Sequence, residues 1–139
     1  MSALFAYSAA LMSLALFAIL GQVLSAAAAI SRSKAGYLPG EMPRPDYGDR
    51  VYRICRTYHN TVDNAGTFAA AVAAAVLTLA SPVLVNLFAV LALIARLLFV
   101  AFYVKGGGRP DGGPRSIAYV FQSAMTILLA LLAVSAGIT

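Results

Sequence analysis

The sequence predicts an all-α integral membrane protein built as a four-transmembrane-helix bundle. Three observations predict it. Of 139 residues, 61% are hydrophobic and only 11% are charged, with a mean hydropathy of +0.84. A soluble domain of this size buries only about two-thirds of the surface its unfolded chain exposes, too little to hide so much apolar side chain. The apolar residues also run continuously rather than in alternation, which excludes a transmembrane barrel. Finally, they fall into four stretches, each long enough to supply the roughly 20 helical residues that cross a hydrocarbon core. The chain, residues 1–139, reads as one such domain, with helices over about 3–30, 50–80, 83–104 and 115–138.

The first helix opens MSALFAYSAALMSLALFAILGQVLSAAAA. It lacks a basic leading segment, and its apolar run far exceeds the roughly 7–15 residues of a secretory signal. It is expected to be a permanent span.

The second helix opens with RICRTYHNTVDNAGTF, residues 53–68, and continues as an alanine-rich run over 69–75. At about 100° per residue, Arg53, Arg56, Asn60 and Asp63 share an arc of about 80°. Cys55, the only cysteine, lies off that stripe and reads as a packing residue. Alone, it forms neither an intrachain disulfide nor a thiolate metal cluster. His59, the only histidine, sits at the edge of the stripe and reads as a polar residue near the headgroups. The alanines give a smooth surface for close helix approach.

A short turn at Ala80, Ser81 and Pro82 leads into the third helix, where Arg96, Phe99 and Tyr103 form a second stripe. A charge at that depth costs about 2.5–3.5 kcal/mol on insertion scales. Measured from the turn, Asp63 lies roughly 26 Å and Arg96 roughly 21 Å along their helices, at about 1.5 Å per residue. A structural ion pair between Asp63 and Arg96 is therefore expected, with Asn60 satisfying spare donors. Arg115 opens the fourth helix, where the dipole adds positive potential, and Ser116 and Tyr119 follow on its first turns. With Tyr103, Arg53 and Arg56 they outline a cationic, hydroxyl-lined mouth suited to an anionic ligand whose partner substrate is dissolved in lipid.

Nine of the ten basic residues and four of the five acids lie on the side of the two longer loops. The positive-inside rule assigns that side to the cytoplasm. Both termini then face the non-cytoplasmic side, and the site lies near the cytoplasmic face. Membrane lipids are the expected surroundings, anionic headgroups being drawn to basic residues by about 1 kcal/mol each. The loops SRSKAGYLPGEMPRPDYGD and KGGGRPDGGP read as flexible connections. The glycine run is not a phosphate loop, because no strand precedes it and no GK[ST] follows. Charges bordering membrane spans are not a nucleic-acid footprint, and no metal-ligand cluster is present in the sequence.

The string from Arg53 to Phe68 resembles the helix-2 signature of the MAPEG family, the membrane-associated proteins of eicosanoid and glutathione metabolism. That signature reads R-x-x-R-x-x-x-N-x-x-[ED]-x-x-P-x-F, and every element is present except the proline, where Gly66 stands. Arg96 followed by Tyr103 resembles the family's third helix, and RSIAY, residues 115–119, the opening of its fourth. The resemblance covers most of residues 50–120. It implies a homotrimer of four-helix subunits with glutathione as co-substrate, bound between neighbours near the cytoplasmic surface. It also implies Arg53, Arg56, Asn60, Asp63, Tyr103 and Tyr119 as glutathione-binding residues, and Arg115 and Ser116 as the catalytic pair that stabilises the thiolate. The implied activity is that of a microsomal-type glutathione S-transferase, with transferase or peroxidase-like chemistry on lipophilic electrophiles. Two departures are Leu24, where glutathione-using members often carry arginine, and Phe99, where some carry histidine. The family also holds members that bind lipid and present it to a partner without chemistry of their own. A small exporter is the remaining alternative; it needs a membrane-embedded acid, and Asp63 is the sole candidate.

Overall fold

The computed structural model describes residues 3–106 and 112–138. A 3-10 turn, Ala3–Tyr7, leads into α1 (Ser8–Lys34), followed by α2 (Arg50–Leu77), α3 (Pro82–Lys105) and α4 (Pro114–Ile138). Among the described residues, all regular structure is helical. Leu4–Lys34, Pro82–Lys105 and Pro114–Ile138 are long and apolar enough to cross a membrane. With 28 residues, α2 matches them in length. Its first half, carrying Arg50, Arg53, Arg56, His59, Asn60 and Asp63, keeps it less apolar than the rest.

Local chemistry sets the helix ends. α1 runs past the expected residue 30, since nothing in AISRSK breaks a helix before Gly36, whose φ is +81°. Asp49 is the N-cap of α2, its carboxylate accepting from the Val51 and Tyr52 amides at 2.9 and 3.3 Å. That satisfies two of the amides a helix start leaves unpaired. α2 ends at Leu77, three residues early, because Leu79 turns left-handed at φ 55°. Pro82, with no amide proton to lose, starts α3. Gly106, left-handed at φ 75°, closes α3.

The core lies among all four helices. Phe17 of α1 stacks on Phe68 of α2 at 4.9 Å, and Val72, Ala75, Val85, Ala89 and Leu129 close around them, all buried. Ala71 and Ala75 are the inward members of the alanine run, small enough for backbones to approach closely. The large apolar side chains of the outer face, such as Leu16, Ile19 and Val23 of α1 and Ile127, Leu131 and Val134 of α4, are exposed. That inversion suits a lipid surround.

Both described ends of the chain gather beside the α2–α3 turn. The Tyr7 hydroxyl donates to the Ala80 carbonyl at 2.6 Å. Asn86 of α3 clasps the start of α1: its amide donates to the Ala6 carbonyl at 2.7 Å and its oxygen accepts from the Ala10 amide at 2.9 Å. The α1–α2 loop and the start of α4 lie at the other end. The first loop has no helix but is tied down where it meets α2, so it is less free than its composition implies. The second loop's expected flexibility falls largely on residues outside those described, Arg109 included.

Candidate functional site

At the loop end of the bundle, α2, α3 and α4 frame an open pocket of about 200 Å³. Six of the expected site residues line it together: Arg56, Asn60, Tyr103, Arg115, Ser116 and Tyr119. Tyr47, Phe99 and Val120 join them, and the described lining residues include no acid.

Each element delivers its share by helical spacing. Phe99 and Tyr103, four apart on α3, meet edge to face at 5.3 Å, and Phe99 also meets Tyr119 at 6.0 Å. Pro114 begins α4, which places Arg115 and Ser116 on its first turn, where the helix dipole is positive. The Arg115 guanidinium is nearly buried and lies 4.5 Å from the Tyr103 ring centre and 5.1 Å from that of Tyr47. Stacking on these aromatic faces helps to hold the guanidinium in place. Arg56 enters from α2 with its Nε–H buried and without a hydrogen-bond partner. Asn60 turns its amide back to the Arg56 carbonyl at 3.3 Å.

Beneath the pocket lies Arg96, 0% exposed. Its Nη1 donates to the Asn60 carbonyl at 3.4 Å, and its Nη2 donates to Gln122 Oε1. Gln122 passes the chain on, Nε2 to Thr126 Oγ1 at 3.0 Å. The guanidinium also sits 4.8 Å from the Phe99 ring centre, 5.7 Å from Phe17 and 5.8 Å from Tyr119. The pocket therefore has two cations in its wall and a third under its floor.

An apolar track leads away from it. A shallow surface depression of about 440 Å³ along α4 shares Ser116 and Val120 with the pocket and continues over Ile117, Phe121 and Ala124. A third, about 290 Å³, takes over at Ile117 and Phe121 and runs between α3 and α4 along Leu98 and Phe102.

This combination, a cationic pocket at one end of a four-helix membrane bundle, can be set beside known proteins. The model of the MAPEG family matches residues 6–135. The chain belongs to the MAPEG family. Its membership makes it a membrane protein of the glutathione and eicosanoid metabolism family. No curated protein matches the chain.

The MAPEG helix-2 motif is distributed differently from the expectation. The Asp63–Arg96 ion pair is not formed within the chain. Asp63 is exposed, while Arg96 is wholly buried and held by Gln122 and the Asn60 backbone carbonyl rather than its side chain. The reason is the rotation of α2. Its inner face is marked by Thr57, Thr61 and Phe68, each 0% exposed, and Asp63 lies about 200° around the helix from Thr61. Arg53 is also outside the pocket wall: its Nη1 donates to the carbonyls of Tyr47 and Gly48 at 2.7 and 2.8 Å. Cys55 is buried, as a packing residue should be.

Sequence reasoning missed Tyr47 and Gln122. Tyr47 carried no signal, standing in a proline- and glycine-rich loop without a helical period. Gln122 carried one: it stands seven residues after Arg115 on the same face of α4, a lone amide in an apolar run.

Proposed function

We propose that this MAPEG protein is a glutathione-dependent membrane transferase acting on lipophilic electrophiles at the cytoplasmic membrane face, assembled as a trimer. The observation that carries the proposal is the pocket itself. Arg56 and Arg115 line it beside Asn60, Ser116, Tyr103 and Tyr119, and the buried Arg56 Nε–H has no hydrogen-bond partner among the described residues. Such a wall fits the two carboxylates and the thiolate of glutathione.

Within the chain, Arg56 with Asn60 would hold a carboxylate, and Tyr103 and Tyr119 offer hydroxyls to the peptide. Arg115, the positive end of α4 and the Ser116 hydroxyl favour the anionic sulfur, which is the nucleophile. Lowering a thiol pKa by two units requires about 2.7 kcal/mol of preference for the charged form, within the range of one close cation and one hydrogen bond. The electrophile enters along the apolar track that joins the pocket at Ser116 and Val120, and its leaving group departs as the sulfur–carbon bond forms.

The exposed Asp63 supports assembly, since a carboxylate left in lipid costs about 2.5–3.5 kcal/mol and a neighbouring subunit removes that cost. Asp63 then contributes from its outer face to a site shared between subunits.

Arg115→Ala should abolish conjugation of a halogenated aromatic electrophile, followed spectrophotometrically, while leaving the assembled mass unchanged. Retained turnover would refute the assignment.

A second reading, lipid binding without chemistry, is favoured by two observations. Leu24, at the helix-1 position noted above, is buried at 5% exposure, and Arg53 is occupied by loop carbonyls. Calorimetric titration with glutathione separates the readings: heat of binding supports the transferase, and its absence supports the lipid binder.

A further inference from the structure

The loop between α1 and α2 reaches the pocket in a way that the ligand contacts do not use. Residues 46–49 are tied down from several sides. The Gly48 amide donates to Asp46 Oδ1 at 2.7 Å and the Asp49 amide to the Asp46 carbonyl at 3.1 Å, while Asp49 caps α2. Arg53 reaches back from the first turn of α2 to grip the Tyr47 and Gly48 carbonyls.

Arg53 is seated in turn. A side chain at Gly106 would place its Cβ 3.1 Å from Arg53 Cζ, and φ at Gly106 is +75°. The end of α3, the start of α2 and the loop thus converge on one guanidinium. What this fixes is the Tyr47 ring. It lies 5.1 Å from Arg115 Cζ, 6.3 Å from the Tyr103 ring and 5.4 Å from the Tyr52 ring. One side lines the pocket, yet the residue is 42% exposed. A ring in that position is the boundary between the pocket and the aqueous side.

We propose that Tyr47 is the gate of the cationic pocket and that Arg53, seated against Gly106, is the latch that holds it over Arg115. The inference rests on the pocket being the ligand site, and it is independent of which anion binds there. The Tyr47 ring lies between Arg115 and the aqueous side, so lifting the strap widens the way by which an anion reaches Arg115. The strap is anchored by a few hydrogen bonds at the protein surface, the class of structure that opens locally on its own. Arg53 is then a positioning residue: it acts on the pocket through Tyr47 and does not line it.

Thiol labelling tests this without a ligand. In the full chain carrying Cys55→Ala, a Ser116→Cys reporter in the pocket wall is reacted with an anionic, sulfonate-bearing thiosulfonate. Adding Tyr47→Ala or Arg53→Gln should speed labelling by about tenfold or more, as when a minor open state becomes the dominant one. Tyr47→Phe keeps the ring and should label at the parent rate. A Ser81→Cys reporter, exposed at the far end of the bundle, should label equally in every background, which separates an opened gate from a loosened fold. Equal labelling of Ser116→Cys in the parent and in Tyr47→Ala would overturn the gate. A rise in Tyr47→Ala with none in Arg53→Gln would overturn the latch. Glutathione titration of the unmodified protein is read separately: its failure removes the proposed substrate and leaves the labelling result standing.

Discussion

Arg96 shows how one residue can organise a site that it does not line. A guanidinium with no exposure needs partners for its donors, because an unmade hydrogen bond to a buried charge is costly. Here a backbone carbonyl serves Nη1 and Gln122 serves Nη2, Nε is left without a hydrogen-bond partner among the described residues, and three aromatic rings surround the charge. Gln122→Leu should therefore strand Nη2 and cost about 1–3 kcal/mol, read as a lowered thermal midpoint in detergent. Asp63→Ala should leave the same subunit's packing around Arg96 untouched, by contrast with the ion-pair expectation. The cost of Arg96 was legible in the sequence, since a charge in an apolar run announces itself. Its partner was not, because spacing fixes which residues share a stripe but not which way the stripe faces. Gln122 left a signal as a lone amide in an apolar run, but nothing in its spacing names Arg96 as its partner. The six pocket residues from three helices could be read because arginines and tyrosines at helix ends are few and their spacing is helical. Tyr47 could not, because a loop has no period to read.

At the scale of an element, the loop end of α2 and α3 is held by two terminal residues with different chemistry. Asp49 supplies the acceptor that the first amides of α2 lack, and Asp49→Ala should cost about 1 kcal/mol of stability. Gly106 supplies a left-handed backbone and an empty Cβ position against Arg53. Gly106→Ala should cost about 1–2 kcal/mol for the conformation alone and should also displace Arg53. In thermal unfolding the two substitutions should look alike. In the labelling of a Ser116→Cys reporter, Gly106→Ala should accelerate access in the manner of Arg53→Gln. A Gly106→Ala protein labelled at the parent rate would show that Arg53 keeps its grip without the seat. The helix starts were legible where a capping aspartate or a proline marks them. The end of α2 was not, because the left-handed turn at Leu79 is made by a residue type that seldom makes one.

For the whole molecule, the decisive feature is a polar strip on an outer face that otherwise suits lipid. Asp63 and Thr67 are exposed on α2, and Thr67 opens onto a groove of about 460 Å³ between α2 and α4 floored by Ala70, Ala74 and Ala130. Small residues of this kind let helices approach closely in a bilayer, whereas the Leu91, Ile94 and Leu98 side of α3 is uniformly apolar. If α2 faces neighbouring subunits and α3 faces lipid, single cysteines introduced on the two faces should behave differently. In a Cys55→Ala background, Thr67→Cys should form disulfide-linked dimers on mild oxidation in the membrane, and Leu98→Cys should not. Light scattering should give three times the 14.5 kDa subunit mass. A monomeric mass, or equal cross-linking at both positions, would leave a carboxylate standing in hydrocarbon with nothing to offset it. The shared site would then have to be abandoned with the trimer, while the pocket within each subunit would remain.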